Sequence, residues 1–510
     1  MSNDTLILLP QFIKDFWFIA LTWLACVLGG ILAIRRSPFR ETGRYDFDLK
    51  AWAKVIVAFI FVVGLLFAGA RGLGLKPVRI ISAARYTSTA NVPLILNTPF
   101  TILQTLNEEE IKPVVYFDEK KLSSIYTPEQ QFHGLGVKKR TNVVIIILES
   151  FSKELIGLLN DGKGYTPCFD SIARQGLIYE NAFANGKRSI EAVPAILAGL
   201  PAFMDDSYIS SRFSGNRLIA LPTILDKEGY HTSFFHGGRN GTMGFDEFAH
   251  IAGIKQYYGL NEYKGEGAFD GNWGISDEEF LQFYAKTLNT FPQPFFSTVF
   301  TLSSHNPYYV PAKYAHSFND APNNLLKALR YADYSLGKFF QTISKMPWYK
   351  NTLFVMVADH TGEVQNKAYN TSSGLFQIPI VFYHPGDNTL HGVSKRINQQ
   401  TDIMPSILDY LGINRPFLAF GKSIFSTEKP DYAVNFLGGI YHYFQGSYML
   451  LFDGDKSTGL YDFINDKPLK NNLLKDSAQL ASGMEEKLKA MIQQYNSRLF
   501  NNTMINPAGL

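Results

Sequence analysis

The chain has 510 residues, with 48 Lys and Arg against 45 Asp and Glu and a formal net charge of +3. That length suits more than one domain, and the near balance excludes the concentrated basic excess of a nucleic-acid binder. Two cysteines, Cys26 and Cys168, exclude a disulfide framework and a cysteine-built zinc site, while a charged share of 18% points to membrane or buried segments.

The first apolar run, residues 16–34, carries no charge. At 1.5 Å per residue it approaches the roughly 30 Å of a bilayer's hydrocarbon core. A second run, residues 55–70, lies between Lys54 and Arg71, whose long side chains extend it by snorkelling to about 52–71. A cleaved signal peptide fits poorly, because Arg35 and Arg36 follow where small residues belong. Arg35, Arg36, Arg40, Arg44, Lys50 and Lys54 lie between the runs, and the positive-inside rule puts this loop in the cytoplasm. Both termini then face outward. So short an outward N-terminal segment is unusual and suits a chain preceded by further spans in a longer relative. Residues 1–74 are read as a membrane region with spans at about 16–34 and 52–71, and residues 75–141 as a connector on the membrane side.

Residues 143–148 (VVIIIL) form a continuous β-branched run, the mark of a strand buried on both faces of a parallel sheet. Further strands are expected at 232–235, 295–302, 352–357 and 378–383. Helices are expected between them at 221–228, 277–288, 325–343 and 402–411. This alternation predicts an α/β sandwich with a mainly parallel central sheet over residues 142–497, followed by a tail, 498–510. In such sheets the functional residues gather past the carboxyl ends of the strands.

Three strand ends carry chemistry: Glu149-Ser150, Ser303-Ser304-His305 and Ala358-Asp359-His360. Two carboxylates and an imidazole suit Mn²⁺, Zn²⁺ or Mg²⁺, and three protein ligands leave a position open for reaction. Either carboxylate alone reads more simply as a helix cap or ion-pair partner; the pair, each directly after an apolar strand, favours the metal. The segment Asn185-Gly186-Lys187-Arg188-Ser189 opens a helix, expected at 190–197. Ser189 is a plain N-cap or, beside a metal, a nucleophile of lowered pKa, with Lys187 and Arg188 placed to neutralise a phosphoryl or sulfuryl group.

With these residues the chain resembles the alkaline phosphatase/sulfatase superfamily, and within it the lipoteichoic acid synthase-type phosphoglycerol transferases. The resemblance runs through residues 142–152 (NVVIIILESFS), 165–201, 234–248 (FFHGGRNGTMGFDEF), 301–308 (TLSSHNPY), 355–363 (VMVADHTGE), 378–386, 401–413 and 459–474. It implies one divalent metal, Mn²⁺ foremost, held by Glu149, Ser189, Asp359 and His360. It implies His236 and His305 as phosphoryl-binding residues. Two departures stand out. The run Gly-Lys-Arg-Ser replaces the family's Gly-Lys-Thr-Ser, which leaves Ser189 as the one hydroxyl there. Met243 and Phe245 stand where the family places a Trp and an Arg; neither holds an anionic head group, so the donor is expected to differ from phosphatidylglycerol, with Arg239 and Asn240 as candidate replacements. The Cys/Ser-x-Pro-x-Arg motif of formylglycine sulfatases is absent at both Ser189 and Cys168.

The resemblance thus implies a multi-pass protein of the bacterial cytoplasmic membrane whose catalytic domain faces the periplasm or cell exterior. Its expected reaction moves a phosphoglycerol-type head group from a phospholipid to an envelope glycan or glycolipid through a phosphoryl-Ser189 intermediate. The alternatives are a phosphodiesterase or sulfuric ester hydrolase of the same fold, using water, and an inactive membrane-tethered binding domain.

Overall fold

Residues Asn142–Leu148 (β1) have no exposed face. Their β-branched side chains pack on both sides of the sheet, which is stable only where a neighbouring layer covers each face. The other strands of this sheet are Leu177–Phe183 (β2), His231–His236 (β3), Gln256–Tyr258 (β4), Phe295–Phe300 (β5), Thr352–Ala358 (β6), Ile380–Tyr383 (β7) and Gly392–Gln399 (β8). Their order is β4-β3-β5-β1-β6-β7-β2-β8. Every neighbouring pair is parallel except the two made by β7. This is the mainly parallel sheet the sequence predicts.

The computed structural model describes residues 113–132, 138–265, 269–427 and 431–505, with 53, 56–65, 80–86, 95–96 and a few positions between 25 and 32. The chain divides into two units, Met1–Pro77 and Val78–Leu510. In the first, residues 56–65 are helical and apolar, with Phe59 and Phe61 exposed. The expected span at 16–34 falls almost wholly outside the described residues, as do the ends of the one at 52–71. No helix among the described residues is long and apolar enough to cross a membrane.

In the second unit the sheet is flanked by Pro167–Ala173 (α1), Ser189–Ala198 (α2), Leu221–Lys227 (α3), Phe245–Ile251 (α4), Asp277–Leu288 (α5), Asn324–Ile343 (α6) and Ile403–Tyr410 (α7). The longest, α6, buries one stripe that includes Leu329, Leu336 and Phe340, the 3.6-residue spacing of an amphipathic helix. Residues 80–86 form a 3₁₀ turn with Ile80, Ile81 and Ala83 buried, packed against α4.

A second sheet is an antiparallel meander of Tyr432–Leu437 (β9), Ile440–Gln445 (β10), Tyr448–Phe452 (β11) and Ser457–Asp462 (β12). It packs on β2 through Phe183, whose ring stacks on Phe444 at 4.1 Å and meets Phe463 edge-on at 5.8 Å. The helix Ala478–Phe500 (α8) closes the fold, its Gln493 bonding the backbone on both sides of Tyr116-Phe117.

Register positions the chemistry. Leu148 pairs with Ala358, and the Asp359 amide donates to the Leu148 carbonyl at 3.1 Å. The Thr301 amide donates to the Ile147 carbonyl at 3.0 Å. Glu149, Thr301 and Asp359 therefore leave adjacent parallel strands at one level of the carboxyl edge.

Candidate active site

Glu149 and Asp359 are both buried, 4% and 0% exposed. Asp359 has one oxygen tied back and one turned to His360, whereas both oxygens of Glu149 accept a hydrogen bond. Asp359 Oδ1 accepts the amides of Ser150 at 2.8 Å and His360 at 2.7 Å. Asp359 Oδ2 accepts no hydrogen bond and lies 3.2 Å from His360 Nε2. Glu149 Oε1 accepts the Ser150 hydroxyl at 2.7 Å, and Glu149 Oε2 accepts the Ser189 hydroxyl at 3.1 Å. Ser150 itself has φ 59°, a left-handed conformation that costs a non-glycine residue roughly 1–3 kcal/mol.

Ser189 is the first residue of α2 and is 6% exposed. The turn before it is held by Glu191, whose Oε2 accepts the amides of Lys187 at 2.7 Å and Arg188 at 2.9 Å. A Cβ at Gly186 would collide with that Glu191 side chain, so the turn needs glycine. With Glu191 satisfying these amides, the Ser189 hydroxyl is not a cap; it lies between Glu149 Oε2 and His360 Nε2, the latter at 3.2 Å.

His360 Nδ1 lies 3.0 Å from the Thr361 carbonyl. A carbonyl only accepts, so Nδ1 carries the proton and Nε2 presents its lone pair to Asp359 Oδ2, with Glu149 Oε1 at 3.9 Å. Burial, then the Asp359 charge, pushes the Glu149 carboxyl well above the ordinary carboxylate range. Two buried carboxylates and an imidazole, with one oxygen left bare, match the donor set of a divalent cation; Glu149, Asp359 and His360 offer ligand atoms within 4.8 Å of one another.

Glu149 and Ser189 line a cleft together with His236, Thr242, Met243, Phe245, Trp273, Phe300, Leu302 and His305. His305 Nδ1 lies 2.7 Å from the Asn306 carbonyl and so carries the proton, which leaves Nε2 as the ring's basic atom. The His305 ring packs against Trp273 with centroids 4.3 Å apart, and the Trp273 indole donates to the same Asn306 carbonyl at 2.6 Å. His236 lies edge-on to Phe245 at 5.2 Å.

The four cationic and amide candidates are not among the residues lining this cleft. Lys187 Nζ bonds the Thr361 hydroxyl and carbonyl and the Leu375 carbonyl, and burial lowers its pKa. Arg188 pairs with Glu191. Arg239 lies over the Phe269 ring at 5.3 Å. Asn240 donates to Glu262 at 3.0 Å. Lys187 and Arg188 shape the turn that presents Ser189, and Arg239 and Asn240 join the loop after β3 to the segment after β4.

Ser150 and Trp273 are site residues that the sequence reading did not single out. Ser150 directly follows a candidate ligand, a usable signal; Trp273 is far from every motif and comes in by a turn built on Asp270, whose carboxylate accepts three successive amides.

The sulfatase family profile matches residues 141–413. The chain is 24% identical over 366 residues to a lipoteichoic acid synthase-like protein of Bacillus subtilis, covering 66% of this chain and 58% of that protein. It is 28% identical over 352 residues to the lipoteichoic acid synthase of Staphylococcus saprophyticus, covering 64% and 53%. The chain thus spans little more than half the length of these curated relatives. Among solved structures, a protein in the alkaline phosphatase superfamily from Vibrio parahaemolyticus superposes with a TM-score of 0.66 at 24% identity, covering 76% of this chain and 98% of that one. The lipoteichoic acid synthase LtaP from Listeria monocytogenes gives 0.60 at 19% identity, covering 75% and 98%. The α/β fold is that of the alkaline phosphatase superfamily.

Proposed function

The chain belongs to the sulfatase family, and on that premise we propose that it is a membrane-anchored, divalent-metal-dependent transferase. It moves a phosphoglycerol-type head group, phosphorus with its small esterified alcohol, from a phospholipid to a hydroxyl of an envelope glycan or glycolipid. The observation that carries this reading is the Ser189 hydroxyl between Glu149 and His360 in the lining of a cleft. The curated relatives named as lipoteichoic acid synthases support the transferase over a sulfate-ester hydrolase.

Glu149, Asp359, His360 and Ser189 hold the cation, with Mn²⁺ foremost and Zn²⁺ or Mg²⁺ also suited to the donors. When bound, a divalent ion lowers the pKa of the serine hydroxyl and offsets charge on the phosphoryl oxygens. Ser189, its hydroxyl proton lost to solvent, attacks phosphorus through Oγ; the Oγ–P bond forms, the bond from phosphorus to the lipid alcohol breaks, and Ser189 later leaves again as the alkoxide. A protonated His305 Nε2 gives its proton to the departing oxygen, while the Nδ1–Asn306 bond and the Trp273 face fix the ring. In the second half the acceptor hydroxyl gives its proton to His305 Nε2 and displaces Ser189 from phosphorus. His236, which also lines the cleft, would meet the non-bridging phosphoryl oxygens. The apolar walls, Met243, Phe245, Phe300 and Leu302, exclude water that would hydrolyse the phosphoryl-serine.

Anchoring rests on the apolar runs at 16–34 and 52–71 and on the basic loop between them. The domain reading places residues 142–497 outside the bacterial cytoplasmic membrane, facing the periplasm or cell exterior, on a connector at 75–141. The test is product analysis with Mn²⁺ and a phospholipid donor, run with and without a glycan acceptor. Head-group transfer to the glycan is the expected result; release to water alone would replace the transferase by a phosphodiesterase.

A further inference from the structure

We infer that Ser150 is a positioning residue that fixes both carboxylates of the metal centre at once. This rests on the metal-dependent reading above. Ser150 is the one residue among those described that hydrogen-bonds to Glu149 and Asp359 together: its hydroxyl donates to Glu149 Oε1 at 2.7 Å and its amide to Asp359 Oδ1 at 2.8 Å. These two bonds hold Glu149 Oε1, which lies 3.9 Å from His360 Nε2, and Asp359 Oδ1. They leave Glu149 Oε2 toward Ser189 and Asp359 Oδ2 bare toward His360. A carboxylate with no donor on it is free to rotate; one with an oxygen held by a donor keeps both oxygens at a fixed angle. Such outer partners commonly tune metal affinity by roughly 10–100-fold.

The backbone supports the same assignment. Ser150 holds φ 59° where glycine would sit without strain. A strained serine in place of glycine at this turn supplies the hydroxyl that glycine lacks. The turn is also closely covered: a Cβ on Gly362 would come within 3.3 Å of both the Ser150 Cβ and its carbonyl oxygen, so the loop after His360 seats directly on it. Gly362 in turn donates its amide to Ser152 Oγ at 2.9 Å. Ser150 therefore ties the end of β1 to the end of β6 through their ligands and through the loop that follows.

The test compares Ser150→Ala and Ser150→Gly in the full chain by calorimetric Mn²⁺ titration, with the melting of the metal-free proteins recorded beside it. Alanine removes the hydroxyl and keeps the strain; glycine removes the hydroxyl and relieves the strain. Both are expected to weaken Mn²⁺ binding about tenfold or more, while metal-free Ser150→Gly melts no lower than wild type. If Ser150→Ala does not fold, Ser150→Gly decides alone. Wild-type affinity in both variants, or in glycine alone where alanine fails, would overturn the assignment while leaving the metal-dependent reading intact. A wild-type protein that takes up no divalent cation would overturn both.

Discussion

Ser189 donates its hydroxyl to a buried carboxylate and takes no part in capping α2, so its removal should cost chemistry and little stability. Ser189→Ala is expected to lower turnover by roughly 10³-fold or more and to abolish the mass adduct that wild type forms with a phospholipid donor. An adduct that persists in the variant would rule out Ser189 as the nucleophile. Glu149 gives the opposite balance. Its carboxyl is buried beside Asp359 with no Lys or Arg ion pair recorded among the described residues. Glu149→Gln removes the like charge and keeps the shape. The metal-free variant is expected to be more stable than metal-free wild type, on the scale of roughly 1–3 kcal/mol for an ill-satisfied buried polar group, while losing Mn²⁺ binding. Chemical denaturation with chelator present checks the sign; a less stable variant would mean that the two carboxylates are not in conflict.

At the scale of elements, the start of α7 carries a buried acid. Asp402 accepts the amides of Gln399 and Lys422, yet burial pushes its pKa up to about 7. Asp277 and Asp333 are likewise pushed up by burial, to about 6. A folded state that holds a proton the unfolded chain has lost is favoured at low pH. Stability from this group is therefore full below the ordinary carboxylate range, near pH 4, and is lost as pH rises to about 7. Denaturation midpoints should fall across that window, and Asp402→Asn should flatten the fall; an equal slope in the variant would exclude Asp402 as a source. The seam between the two sheets rests on Phe183, fully buried between Phe444 and Phe463. Phe183→Ala is expected to cost about 3–5 kcal/mol, measured by urea unfolding, and a loss under 1 kcal/mol would show that the meander is not held there.

The same elements explain what the sequence revealed. β1 and β6 are apolar runs buried on both faces, and period alone places them. Because both are parallel and in register, the residues directly after them meet, which is why Glu149 and Asp359-His360 could be picked out by position. β2 carries Glu180 and Asn181, and β8 alternates Ser394, Lys395 and Arg396 at a sheet edge, so neither shows a buried run. The meander of β9–β12 mixes Tyr, His and Asn into its strands, among them the buried Tyr432, Asn435, His442 and Tyr443, so no apolar run marks it. Arg239 and Asn240 stand in the sequence as candidate replacements for the Trp and Arg displaced by Met243 and Phe245. Their side chains answer to Phe269 and Glu262, partners too distant in sequence to be read from it.

Across the whole molecule, β1, β5 and β6 bring one carboxyl edge together from residues more than 200 positions apart, and α2 adds the hydroxyl. The connector segment 80–86 packs on α4, whose first residue, Phe245, lines the cleft. Everything proposed for this site depends on a cation among Glu149, Ser189, Asp359 and His360. The most direct measurement is anomalous diffraction at the manganese edge from crystals grown with Mn²⁺. The account predicts a single strong peak bonded to Glu149, Asp359 and His360 beside Ser189 Oγ, and its loss in Asp359→Asn. No peak there, or a peak held by other residues, would contradict it.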